Sequence, residues 1–281
     1  MRIKITADST CDLSPELIAK HQIDITPLYI VRDGVSYRDG IEIKPQDIFD
    51  STEKDGRVCQ TAAINIADYI RYFEPLSQQY DAVIHINIGS EFSSCYQNAL
   101  VAADEFSNVF PIDSQNLTAG IGYLVLEAAL MAESGMAPAD ICDRLNHLVP
   151  KIETSFILDK LDYLRRGGRC SSVAALGANL LSLKPCIEVK EGKMHVGKKF
   201  RGQFERCVLQ YVQQRLTGRS DISYERLFIV HTTASPDLLA AIEKEARKLG
   251  DFKEVITTQA GCTISSHCGP NTVGIVFARR Q

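Results

Sequence analysis

The feature that most constrains this chain is the regular alternation, through its first half, of short apolar segments with strand character and helix-length segments. Residues 3–7 alternate polar and apolar side chains as a strand does, and 15–21 read as a helix, with Ser14 in the capping position and Pro15 at the first helical position. An apolar stretch at 25–31 runs into Asp33-Gly34, a two-residue hairpin signal, and then 35–37. Helices are expected at 45–54, 66–77 and 94–105, with a buried strand at 82–88 and a short one at 109–112. The Ala- and Leu-rich segment 118–134 reads as a core helix. Crossovers long enough to carry helices favour a parallel sheet covered by helices on both faces, and such sheets bind ligands at the carboxyl ends of their strands.

After a helix at 138–149 the texture changes. A strand at 152–157 leads to a basic turn, Arg165-Arg166-Gly167-Gly168-Arg169, and then an apolar helix at 174–183. Residues 186–190 and 194–197 flank Glu191-Gly192 as a second hairpin. A helix at 201–216, a strand at 227–231, a helix at 236–249 and strands at 253–258 and 274–278 complete a second α/β unit. The expectation is two lobes, 1–150 and 151–281, with a cleft between them.

Composition narrows the function classes. A net charge of −4 argues against general affinity for nucleic acid or anionic membrane, either of which would need a concentrated basic face. The nine cysteines are scattered without a Cys-x-x-Cys pair, which disfavours both a zinc site and a disulfide framework. No apolar run approaches the roughly 20 residues that span a bilayer, and the first residues lack the pattern of a signal peptide. A reduced, cytoplasmic protein with no membrane anchorage, metal or cofactor is expected.

The common catalytic and nucleotide motifs are missing. There is no phosphate-binding Gly-x-x-x-x-Gly-Lys-Ser/Thr loop, and Gly120-x-Gly122 lacks a third glycine and a preceding strand. Gly89-Ser90-Glu91-Phe92-Ser93 lacks the final glycine of a nucleophile elbow. What stands out instead are hydroxyl residues placed where strands give way to helices: Thr61 before 66–77, and Ser90, Ser93 and Ser94 before 94–105. A helix N-terminus attracts an anion, and neighbouring hydroxyls complete its hydrogen bonds, so a carboxylate or phosphate fits there. The same residues also read as plain helix caps. His267 lies in Ser265-Ser266-His267-Cys268-Gly269-Pro270, read as a turn-rich loop of the kind that lines sites.

Several segments in order resemble the DegV family of fatty-acid-binding proteins, which includes the lipid-binding subunits of bacterial fatty acid kinase. They are Asp8-Ser9-Thr10-Cys11-Asp12-Leu13, Thr61, Phe92-Ser93-Ser94-Cys95-Tyr96-Gln97, Asp113-Ser114 with Gly120-x-Gly122, Leu161 through Arg169, and His267-Cys268-Gly269-Pro270. The resemblance implies two α/β lobes with a long-chain fatty acid between them. It implies that Thr61 and Ser93 bond the carboxylate with His267 beside it, that Ser94, Gly269 and Pro270 support these loops, and that Arg201, with Arg169 as a second candidate, stands at the mouth where a kinase meets the carboxylate. Roughly fifteen methylenes at ~0.8 kcal/mol each contribute on the order of 12 kcal/mol before association costs, against about 1.5–3 kcal/mol for each hydroxyl bond to a carboxylate. The chain departs from the family pattern at Ala62-Ala63-Ile64 after Thr61, and at Ser94 and Cys95 after Ser93. A different class remains open: a serine hydrolase with Ser93 as nucleophile, His267 as base and Asp113 orienting it.

Overall fold

Residues 1–56, 59–171 and 183–280 are described by a computed structural model. Among the described residues the first half supplies seven strands: β1 (Ile3–Asp8), β2 (Asp24–Thr26), β3 (Tyr29–Arg32), β4 (Val35–Arg38), β5 (Gln60–Ala62), β6 (Ala82–Asn87) and β7 (Val109–Asp113). Those of the second half supply six: β8 (Ile152–Ile157), β9 (Leu183–Lys190), β10 (Lys193–Arg201), β11 (Ile222–His231), β12 (Glu254–Gln259) and β13 (Val273–Arg279).

The expected parallel sheet is there, in the order β2-β1-β6-β7 with every neighbouring pair parallel. All six residues of β6 are buried, which requires cover on both faces, and the helices Ile66–Gln79, Cys95–Ala103, Ala119–Glu133 and Pro138–Leu148 pack their apolar faces into the same core. Ser14 caps Pro15–Lys20 by accepting from the Leu17 amide. The apolar stretch at 25–31 is two strands, β2 and β3, and not one, because Pro27 between them has no N–H to continue a ladder.

The second lobe carries a six-stranded sheet in the order β10-β9-β8-β13-β11-β12, antiparallel except for the β11–β12 pair. Both predicted hairpins form. Asp33-Gly34 and Glu191-Gly192 each have two consecutive positive φ angles, the left-handed pair that a two-residue turn demands. The β9–β10 hairpin is longer than expected, so Arg201 ends β10 and the helix after it begins only at Phe204. The basic turn after β8 is a short helix, Asp162–Gly167, stopped by Gly168 at φ 68°. The helix expected at 174–183 lies outside the described residues except for Leu183, which opens β9.

Helix Ala119–Glu133 is buried over ten of its residues and packs against strands of both sheets, so it is the layer that the lobes share. Its two glycines serve that packing. A Cβ on Gly120 would stand 2.2 Å from Asn116 Oδ1, and one on Gly122 would stand 2.6 Å from the Cys11 carbonyl oxygen.

The small sheet β4-β3-β5 leaves the first lobe and reaches the second. Ile30, Ile43, Ile48 and Cys59 form a cluster with Cys262, the first residue of helix Cys262–Cys268. This helix occupies most of the segment read from sequence as a loop. Seven residues are too few for a self-sustaining helix, and its first turn is satisfied from far away. The Asp39 carboxyl group accepts from the amides of Cys262 (2.9 Å) and Thr263 (3.0 Å), from Thr263 Oγ1 (2.6 Å) and from Ser9 Oγ (3.2 Å). Asp12, itself left-handed at φ 49°, accepts from the Gly261 amide at 2.8 Å.

Two outcomes follow from this packing. Asp39→Ala strands several buried donors and should lower the stability of the fold by at least about 2 kcal/mol in urea melts. His85, fully buried on β6 among the rings of Tyr69, Tyr72 and Phe73, is pushed by burial to about 3. Below its ordinary value of 6.5 the unfolded chain takes up a proton that the folded chain refuses, so this contribution to stability is lost as pH falls from about 6.5 toward 3. Asp8, raised by burial to about 6, acts in the opposite sense, contributing stability at low pH that is lost as pH rises from its ordinary 3.8 through 6. Comparison with a His85→Phe variant isolates the histidine: below pH 6.5 the wild type should lose up to about 1.4 kcal/mol per pH unit relative to the variant.

Candidate functional site

Strand β5 and helix Cys262–Cys268 bring together two residues 206 positions apart. Thr61 is the central residue of β5, paired with Ile30 of β3, and its Oγ1 lies 2.9 Å from Nε2 of His267, in the last turn of the helix. Thr61 is therefore not at a helix N-terminus as its sequence position suggested. Asn65 caps helix Ile66–Gln79, accepting from the Asp68 amide. Ser93 does have a capping bond, since its Oγ accepts from the Cys95 amide at 3.3 Å, and it also donates to Cys95 Sγ at 3.2 Å. Ser90 is turned to Asp113, donating to it through both its amide and its hydroxyl.

Thr61, Ser93, Ser94 and His267 line one cavity of about 150 Å³, together with Arg169 and Thr263. The rest of its wall is largely apolar. Leu28, Ile88 and Leu117 come from the first lobe, and Phe156, Leu164 and Met194 from the second. Ala62 and Ala63 are part of the wall beside Thr61. A smaller space of about 20 Å³ shares Leu117, Phe156, Ile264 and Cys268 with the larger one. The described wall does not include Arg201, Gly269 or Pro270. Gly269 instead ends the His267 helix at φ 76°, with so little space that a Cβ would stand 2.5 Å from the ring of Tyr163.

The electrostatics of the head region follow from burial. His267 is pushed down to about 4, chiefly by loss of solvent and secondarily by Arg169, so the imidazole is neutral near pH 7. Behind it Asp12 is raised well above the usual carboxyl range by burial, against the bonds it accepts from Thr118 and Gly261. The cavity thus presents hydroxyls, a neutral imidazole and one guanidinium to a ligand. That set suits an anionic head group with an apolar tail.

The bonds that a serine hydrolase needs are made elsewhere. His267 pairs with Thr61, its Nδ1 has no hydrogen-bond partner among the described residues, and Asp113 accepts from Ser90 and from the Gln115 amide. Among the described residues no group of three or more His, Cys, Asp or Glu side chains is placed to hold a metal ion. None of the nine cysteines is in a disulfide, and burial raises the thiol of Cys268 on the cavity wall to about 12 and that of Cys95 beside Ser93 to about 11, which makes them poor nucleophiles. No helix among the described residues is long and apolar enough to cross a membrane.

Sequence reasoning missed Asp39, Leu117, Phe156 and Met194. The apolar three carry no local signal separating a cavity wall from a core position. Asp39 could have been suspected only from its neighbour Gly40, which marks a turn and not a partner 223 residues away.

The model of the DegV family, a family of uncharacterised proteins, matches residues 2–280. A DegV domain-containing protein of Caldanaerobacter subterraneus is 33% identical over 99% of each chain. Among solved structures, a fatty-acid-binding DegV family protein from Thermus thermophilus superposes with a TM-score of 0.88 at 29% identity, covering 99% of this chain and 100% of that one. A stearic-acid-binding protein from Eubacterium ventriosum gives a TM-score of 0.87 at 26% identity, over 99% and 98% of the two chains. A family match along nearly the whole length, with a relative above 30% identity across it, shows that this chain belongs to the DegV family.

Proposed function

We propose that this protein is a non-catalytic cytoplasmic carrier of a long-chain fatty acid. Lobes 1–150 and 151–281 enclose the acyl chain, and Thr61 and Ser93 bond its carboxylate with His267 beside them. The observation that carries this reading is the cavity itself, whose largely apolar wall also holds Ser93, Arg169 and the Thr61–His267 pair. The cavity of about 150 Å³ is lined from both lobes, and a second space of about 20 Å³ shares part of its apolar wall. The fatty-acid-binding relatives of the same fold support the ligand class.

Arg169, on the cavity wall and exposed, is the side chain best placed to meet a partner at the head group. A kinase that phosphorylates the carboxylate is the partner class we propose. Arg201 would act only as a more distant contact for it.

Protein purified gently from bacteria should show, by native mass spectrometry, an added mass equal to one fatty acid. Stripped protein should rebind palmitate or stearate with a rise in melting temperature. Thr61→Val, which keeps the shape and removes the hydroxyl, should weaken binding about 10- to 100-fold, the worth of one hydrogen bond to a charged group. Stripped protein that binds neither acid would overturn the proposal.

A further inference from the structure

The imidazole of His267 has two nitrogens, and only one of them has a partner. Nε2 faces Thr61 Oγ1 at 2.9 Å, while Nδ1 is buried with no hydrogen-bond partner among the described residues. What covers Nδ1 is Gly167, the last residue of helix Asp162–Gly167. A Cβ on Gly167 would stand 2.2 Å from Nδ1, 3.1 Å from Cε1 and 3.2 Å from Cγ. With a carbon–carbon bond of about 1.5 Å, the Gly167 Cα itself lies within about 3.7 Å of Nδ1.

The adjacent glycines of this segment have different reasons to be glycine. Gly168 has φ 68°, and a Cβ there would meet nothing within 4 Å, so its requirement is purely one of backbone conformation. Gly167 has no such backbone requirement, since its φ is not positive. Its requirement is steric, and the group it makes room for is His267.

This contact bears on which nitrogen carries the proton. A neutral imidazole has one N–H and one lone pair, and burial keeps His267 neutral. A proton on Nδ1 would be a buried donor aimed at a methylene, and an orphaned N–H is among the rarer and more costly defects of a folded protein. A lone pair on Nδ1 facing the Gly167 Cα–H group meets instead a weak donor. The proton then resides on Nε2 and is donated to Thr61 Oγ1, and the Thr61 hydroxyl proton is left free.

We infer that Gly167 is a positioning residue that holds His267 as the Nε2–H tautomer, so that Thr61 accepts from His267 and turns its own proton toward the ligand head group. The inference rests on the carboxylate-binding reading of this cavity and sharpens it. The polarity runs one way, from His267 to Thr61 to ligand, and the end of the cavity selects head groups that accept hydrogen bonds. A carboxylate fits this arrangement and an ammonium does not.

The decisive measurement is the ¹⁵N spectrum of the His267 imidazole in ligand-free wild-type protein, assigned by its loss in His267→Gln. The expected result is a protonated Nε2 and an unprotonated Nδ1; a protonated Nδ1, or rapid averaging of the two, overturns the inference. Gly167→Ala should disturb that pattern and weaken stearate binding about tenfold or more, whereas Gly168→Asn, which tolerates the left-handed backbone, should change neither. If Gly167→Ala does not fold, His267→Gln and His267→Asn replace it. The Gln amide reaches the Nε2 position and should retain more affinity than Asn, and the reverse order overturns the inference. Stearate should also bind at least about tenfold more tightly than octadecylamine, and equal affinities count against it. Because the spectrum is recorded without ligand, a failure of the fatty acid reading, seen as no stearate binding, is distinguishable from a failure of the tautomer assignment.

Discussion

The head of the cavity depends on one buried carboxyl group. Asp39, 3% exposed, sits in the first lobe yet supplies the cap of a seven-residue helix in the second. Without its bonds to Cys262 and Thr263 that helix would have neither the length nor the local sequence to persist. His267 lies in the last turn of the same helix, so its orientation is set by a residue more than two hundred positions earlier. Asp12 reinforces the same end through Gly261, and β3 and β5 enter beside it through the cluster around Ile30 and Cys262. The cap, the small sheet and the histidine therefore act as one unit joining the lobes.

Around that unit, glycines mark the places where backbone must approach closely. Gly120 and Gly122 let the shared helix settle against Asn116 and Cys11, and Gly269 lets the His267 helix end against Tyr163. A Gly-x-Gly pair in an α/β chain invites a nucleotide reading, but here the glycines face protein atoms. The division of labour in the cavity is similarly physical. In the proposed carrier, apolar contact with the tail would supply most of the affinity, and a few oriented hydroxyls would decide which head group is accepted.

How much of this was legible in the sequence depends on the range of the interactions. Local chemistry was readable: the Ser14 cap, the hairpins at Asp33-Gly34 and Glu191-Gly192, and the buried helix at 119–133 all formed where their residues placed them. The break at Pro27 was readable in principle, since the ring removes a ladder donor. What escaped was long-range. The final strand β13 lies in the middle of its sheet, between β8 and β11, and the loop expected around His267 is a helix because of Asp39. Of the site residues, Thr61, Ser93, Ser94, Arg169 and His267 converge on one cavity. Helix-end reasoning explains only Ser93 among them, and Arg201 ends β10 away from the described wall. The motif resemblance gathered residues that no spacing rule connects.

The account turns on where the head group sits. A crystal structure of the protein with stearate tests this most directly. It should place a carboxylate oxygen about 3 Å from Thr61 Oγ1, with the acyl chain passing between Leu117 and Phe156. A carboxylate bound elsewhere, or a chain lying outside the cavity with the Thr61–His267 pair unengaged, would contradict it.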